Sequence, residues 1–107
     1  MITERDRKFI RTKMLPYFGI KALNIDYSSS LARYPDIWVS LDRVPIITVT
    51  ETWRRKSERQ RHVELVHESL HIKGLQHGKY GGLDFNTKPA LDSYSKKVYR
   101  DLIRVMG

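Results

Sequence analysis

His67-Glu68-Ser69-Leu70-His71-Ile72-Lys73-Gly74-Leu75-Gln76-His77 places three imidazoles, a carboxyl and a glycine at a spacing that helix packing alone does not require. On an α-helix, side chains four residues apart lie on one face a turn apart, so His67 and His71 present two ring nitrogens to a single point. Glu68 is turned about 100° from His67 around the helix. That is near enough to reach a water held at the point, but a poor place for a ligand. Gly74 can take a positive φ and turn the chain sharply, which returns His77 toward the same point as a third nitrogen. Three neutral imidazoles with an open fourth position describe catalytic zinc, because structural zinc sites are closed by four protein ligands and usually include cysteine. With Glu68 as general base beside a zinc-bound water, the expected chemistry is hydrolysis. His62 lies five residues before His67 and off its face, and is expected to be a surface histidine.

The helix that carries His67 and His71 is expected to begin near Glu58, since Ser57 and Gln60 stand at capping-box spacing. Val63, Val66 and Leu70 recur at helical spacing, and Gly74 falls where a left-handed cap ends such a helix. Upstream, Thr3 and Asp6 form a helix-start pattern ahead of Phe9, Ile10, Met14 and Leu15, which predicts a helix over residues 4–15. Three strands are expected at residues 23–27, 36–41 and 46–50, from alternation or β-branched and aromatic runs. Asp42 to Pro45 reads as a hairpin connection, and Pro45, unable to donate to a ladder, marks Ile46–Thr50 as an edge strand. Downstream, Gly78, Gly81 and Gly82 read as loop. Pro89 then opens a final helix with Leu91, Tyr94, Val98, Leu102 and Val105 on one face. The fold class that results is α+β: an N-terminal helix, a three-stranded sheet, the motif helix packed on it and a C-terminal helix.

The 107 residues suit a single domain spanning 1–107. No cysteine is present, so a thiolate metal site, a disulfide scaffold and a cysteine nucleophile are excluded. No apolar run approaches the roughly 20 residues that span a membrane, and the charged N-terminus lacks the pattern of a secretory signal, so a cytoplasmic protein is expected. The net charge of +8, with clusters at Arg5-Arg7-Lys8, Arg54-Arg55-Lys56 and Arg59-Arg61, would attract nucleic acid or other polyanions, although a solvated basic surface is the favoured reading, since charge alone says little about function.

The stretch from His67 to His77 resembles the HExxHxxGxxH signature of the metzincin clan of zinc metallopeptidases, matching at His67, Glu68, His71, Gly74 and His77. The resemblance implies zinc held by His67, His71 and His77, Glu68 as general base and acid, and hydrolysis of peptide bonds in an extended peptide or unfolded protein. It also implies an edge strand that precedes the active-site helix and pairs with substrate, a place taken here by Ile46 to Thr50. Metzincins carry a methionine turn beneath the metal, whereas the only methionine after this motif is Met106, inside the expected last helix. The chain is shorter than familiar metzincin domains and is similar in size to small soluble archaeal metallopeptidases with a minimal zincin scaffold. Related zincins use an acidic third ligand, for which Asp84 and Asp92 are the substitutes for His77. A second resemblance is to bacterial endoribonucleases of ribosomal RNA maturation, which carry HxxxHxxGxxH on a small domain with a basic surface. Those nucleases lack the glutamate after the first histidine, so Glu68 favours the peptidase. A latent or non-catalytic zinc-binding protein is the third alternative.

Overall fold

The computed structural model describes residues 2–31, 35–75, 79–80, 83–84 and 88–107, with side chains at all of these except 79–80, 83–84 and 88–90. Thr3 opens α1 (Glu4–Phe9) with a complete capping box. Its hydroxyl accepts the Asp6 N–H at 3.1 Å, and the Asp6 carboxylate accepts the Thr3 N–H at 3.2 Å. The helical path then widens into a π segment, Ile10–Met14, where the Leu15 N–H reaches back to the Ile10 carbonyl, and closes as α2 (Leu15–Phe18). It therefore passes the end expected at residue 15. The widening falls where the ring of Pro16 would meet the Thr12 carbonyl in an unbroken α-helix, and Gly19, at φ 65°, ends the run.

Strands β1 (Asn24–Ser28), β2 (Ile37–Ser40) and β3 (Ile46–Thr50) form one sheet in the order β1-β3-β2, with β1 parallel and β2 antiparallel to β3. Ile46–Thr50 is thus the central strand and not an edge. Pro45 sits one residue ahead of it, where a missing donor costs no ladder bond, and its carbonyl accepts the Asn24 N–H at 2.9 Å. Ile47 and Val49 are fully buried, as central-strand residues covered by helices should be. The edge strands are β1 and β2, with no described strand pairing beyond them, and the connection expected at Asp42 to Pro45 joins β2 to β3.

The Thr50 hydroxyl accepts the Trp53 N–H and caps the short α3 (Glu51–Arg54). Ser57 then caps α4 (Glu58–Ile72), its hydroxyl accepting the Gln60 N–H at 3.2 Å. The Gln60 side chain turns forward to donate to Glu64 at 2.8 Å, so only the serine half of the expected capping box serves the cap. Helix α4 packs against β2, α1 and the final helix α5 (Lys88–Met106). Met14, Ile47, Val49, Trp53, Leu65, Val66 and Leu102 fill the space between them, each fully buried and each contributing about 1.5–3 kcal/mol by leaving water. In the glycine-containing segment expected as loop, β4 (Lys79–Tyr80) and β5 (Leu83–Asp84) pair antiparallel. The α+β class and the four expected parts, N-terminal helix, three-stranded sheet, motif helix and C-terminal helix, are all present. Among the described residues, no helix is long and apolar enough to cross a membrane.

His62 is not at the surface. The residue is 6% exposed; its ring stacks on Phe9 with centroids 4.1 Å apart and puts Nε2 2.7 Å from Asp6 Oδ1. A buried carboxylate needs donors, and this histidine with Arg61 supplies them to Asp6.

Candidate metal centre

His67, Glu68 and His71 line one cleft of about 560 Å³ between α4, β2 and the start of α5. The two imidazoles lie with ring centroids 4.8 Å apart and planes at 63°, as residues one turn apart on one helix face allow. Helix α4 then ends in a Schellman turn. The Leu75 N–H donates to the Leu70 carbonyl at 2.9 Å and the Gly74 N–H to the His71 carbonyl at 3.0 Å, with Gly74 at φ 98°. Gly74 thus makes the sharp turn that its place in the motif suggested. The same turn brings the Leu75 carbonyl 2.7 Å from His71 Nδ1. A carbonyl can only accept, so Nδ1 carries the proton and Nε2 the lone pair, the tautomer a metal-ligating histidine uses.

His67 has an analogous neighbour in Asp92 of α5, whose Oδ1 lies 3.5 Å from its Nδ1. Asp92 thus stands on the Nδ1 side of the His67 ring, at the limit of hydrogen-bond reach. His77, the third expected ligand, lies outside the described residues, as does the side chain of Asp84. Among the described residues, no group of three His, Cys, Asp or Glu side chains is arranged to hold a metal. Met106 ends α5 and packs on the core, about 21 Å along the helix from Asp92, so it does not lie beneath the histidine pair.

Glu68 is 7% exposed, and burial pushes its carboxyl up to about 8, with the charges of Glu64 and Asp36 adding to the effect. Those two carboxylates share the Lys56 ammonium, which lies 2.8 Å from Glu64 and also pairs with Asp36. Burial works to lower the Lys56 pKa, but its hydrogen bonds to Asp36 and Glu64 hold it above the usual value. This network ties the start of β2 to α4 and so fixes the width of the cleft. Sequence reasoning missed it, because Lys56 sat inside a basic run and its partners come from two other elements. Two imidazoles and a buried carboxyl, in a chain without thiols, are a donor set suited to zinc and to proton transfer beside it.

Strand β2 supplies the opposite wall. The Thr50 N–H donates to the Asp36 carbonyl at 3.0 Å, which fixes the alternation of the antiparallel pair. Backbone groups of Trp38 and Ser40 face β3, while those of Ile37 and Val39 face outward on the edge that borders the cleft. Trp38, 36% exposed, lines the same wall. Among the described lining residues, Asp36, Glu64, Glu68 and Asp92 carry carboxyls and Lys56 alone an ammonium, so the cleft is acidic on a basic protein. No protein-family model, curated protein or solved structure matches the chain.

Proposed function

We propose that the chain is a zinc-dependent metallopeptidase with a small zincin-like fold, in which His67, His71 and His77 hold the ion and Glu68 is general base and acid. The placement of Glu68 carries this reading: a buried carboxyl beside two imidazoles, that of His71 with its tautomer set by the Leu75 carbonyl, in a cleft bordered by the outer edge of β2. Zinc bound there supplies Lewis acidity, polarising a scissile carbonyl and making water acidic enough to lose a proton near neutral pH. Glu68 takes that proton as the water oxygen bonds to the carbonyl carbon, and returns it to the amine nitrogen as the C–N bond breaks. The outward N–H and C=O groups of Ile37 and Val39 pair with an extended peptide, so β2 takes the role that the sequence had suggested for Ile46–Thr50. Main-chain pairing reads little sequence, hence specificity is broad and folded proteins, whose backbones are already paired, resist.

Purified protein should bind about one zinc per chain and cleave an unfolded protein substrate but not single-stranded RNA. His67→Ala, His71→Ala and His77→Ala should each weaken zinc binding by at least about tenfold, read by competition with a colorimetric chelator. Retention of full affinity in His77→Ala with loss in Asp84→Ala or Asp92→Ala assigns an acidic third ligand instead. Zinc-dependent RNA cleavage without peptide cleavage hands the site to the nuclease, and zinc binding with neither activity makes it a non-catalytic zinc protein.

The strand assignment gives a separate test. Val39→Pro removes an outward donor without touching the β2–β3 ladder, and should raise KM for an unstructured peptide by about tenfold, the worth of one hydrogen bond. Zinc content and kcat should change little. Unchanged KM in folded, zinc-loaded Val39→Pro protein would remove β2 as the substrate rail.

A further inference from the structure

A second concavity, of about 440 Å³, lies on the other side of α4, between α1, the π segment and α5. Glu58 and His62 line it, whereas Gln60 and Glu64, about 200° away around the helix, line the zincin-like cleft. Its charge is opposite to that of the cleft. Arg5, Lys8 and Lys13 surround it, and Glu58, the one acidic side chain among its described lining residues, is taken up by Arg5. No ion pair with a described residue engages Lys8 or Lys13. Arg59 adds its charge beside Tyr99, whose ring lies in the lining with Thr12.

The π segment explains how the lysines come together. Side chains five apart on an α-helix diverge by about 140°, but a π turn closes its hydrogen bond over five residues and brings such positions into line. With the Leu15 N–H bonded to the Ile10 carbonyl, Lys8 and Lys13 both border the same groove. π turns are rare and appear mostly as single-turn bulges inside α-helices, frequently at functional sites.

We propose that this groove is a docking site for single-stranded nucleic acid, with Lys8 and Lys13 on successive phosphates and Tyr99 offering a ring to a base. A concave basic groove with an aromatic wall is what a flexible phosphodiester strand fits. A membrane surface fits it poorly, since none of the exposed large apolar residues, Leu31, Trp38, Leu41 and Val44 among them, lines the groove. The site is independent of the zinc chemistry, which occupies the other face of α4.

Fluorescence anisotropy with a labelled 20-nucleotide oligothymidylate, in EDTA and across a salt series, tests the proposal. Lys8→Ala/Lys13→Ala should weaken binding at least tenfold and lower the salt slope by about 1.4, from about 0.7 per phosphate on a single strand. Lys21→Ala/Arg43→Ala removes the same charge from exposed positions outside the groove and should stay within about threefold of wild type. Equal loss in the two variants would show general charge attraction and overturn the site. So would absence of binding by wild-type protein at 0.1 M salt, or loss of binding in EDTA, which would place the strand at the metal cleft. Vesicles of anionic phospholipid bound with the same dependence on Lys8 and Lys13 would assign the groove to a lipid surface and overturn the nucleic-acid reading.

Discussion

Glu68→Gln is expected to cut kcat for peptide hydrolysis by about 10²- to 10⁴-fold, the usual worth of a positioned general base, while zinc stays bound at about one ion per chain. Glutamine keeps the shape and hydrogen-bonding reach of the side chain but takes no proton from water. The separation of the two readouts follows from geometry. Glu68 sits about 100° around α4 from His67, so it addresses the water's place rather than the point on which the imidazoles converge. Its surroundings also leave a mark on stability. A carboxyl buried beside Glu64 and Asp36 pays for leaving water, so the metal-free Glu68→Gln protein should melt no lower than metal-free wild type. Activity within about tenfold of wild type would remove Glu68 from the proton-transfer role. Parallel loss of zinc and activity would make it a ligand instead.

The parts of the site and fold that could be read from the sequence are those set by neighbours along the chain. His67 and His71 share a face because of helical spacing, Gly74 turns the chain because of its backbone freedom, and Thr3 and Ser57 cap because their hydroxyls reach the N–H three residues on. What the sequence hid depends on partners far away. Pro45 looked like an edge marker, but strand order is decided by β1, which pairs in parallel with β3 across the Asn24–Ile46 register. Placing β3 in the centre moved the sheet edge at the cleft to β2, whose own sequence carries no edge signal. His62 looked unpaired because its acceptor is 56 residues away, inside the capping box of the first helix. Asp92, weighed as a ligand, lies with Oδ1 3.5 Å from His67 Nδ1, a neighbour that its place on the last helix conceals in the sequence. The π segment has no counterpart in local propensity beyond Pro16, whose ring forbids the ordinary turn before it.

Asp6→Ala is expected to lower stability by about 3–5 kcal/mol, the cost of removing one partner from a buried charged cluster. The Asp6 side chain is fully buried. It accepts from the Thr3 N–H at 3.2 Å and from Arg61 Nε at 3.2 Å, and lies 2.7 Å from His62 Nε2. One carboxylate therefore caps α1 and clamps it to α4. Without it, the Arg61 and His62 side chains, 12% and 8% exposed, stay buried; Arg61 keeps only the Lys56 carbonyl as acceptor, and His62 loses the carboxylate at its Nε2. For a domain of this size such a loss lowers Tm by at least about 12 °C. The pH dependence has a definite sign. Burial raises the Asp6 pKa, but hydrogen bonds from Arg61, His62 and Thr3 outweigh it and hold the carboxyl below its ordinary 3.8. Burial lowers the His62 pKa below its ordinary 6.5, and Asp6 opposes this only in part. Both folded-state values lie below the unfolded ones, so both contributions are full at higher pH and drain as pH falls. The His62 contribution drains from about 6.5 downward and that of Asp6 from about 3.9 downward. Melting curves between pH 3 and 8 should show the gap between wild type and Asp6→Ala widening as pH falls below about 6.5, because ionised Asp6 favours the protonated His62 that the variant holds unaided, and closing once Asp6 itself is protonated below about pH 4. A gap under about 5 °C at pH 7, equivalent to about 1 kcal/mol, would show that the first helix is held by the apolar contacts of Phe9, Ile10 and Met14 without the buried clamp.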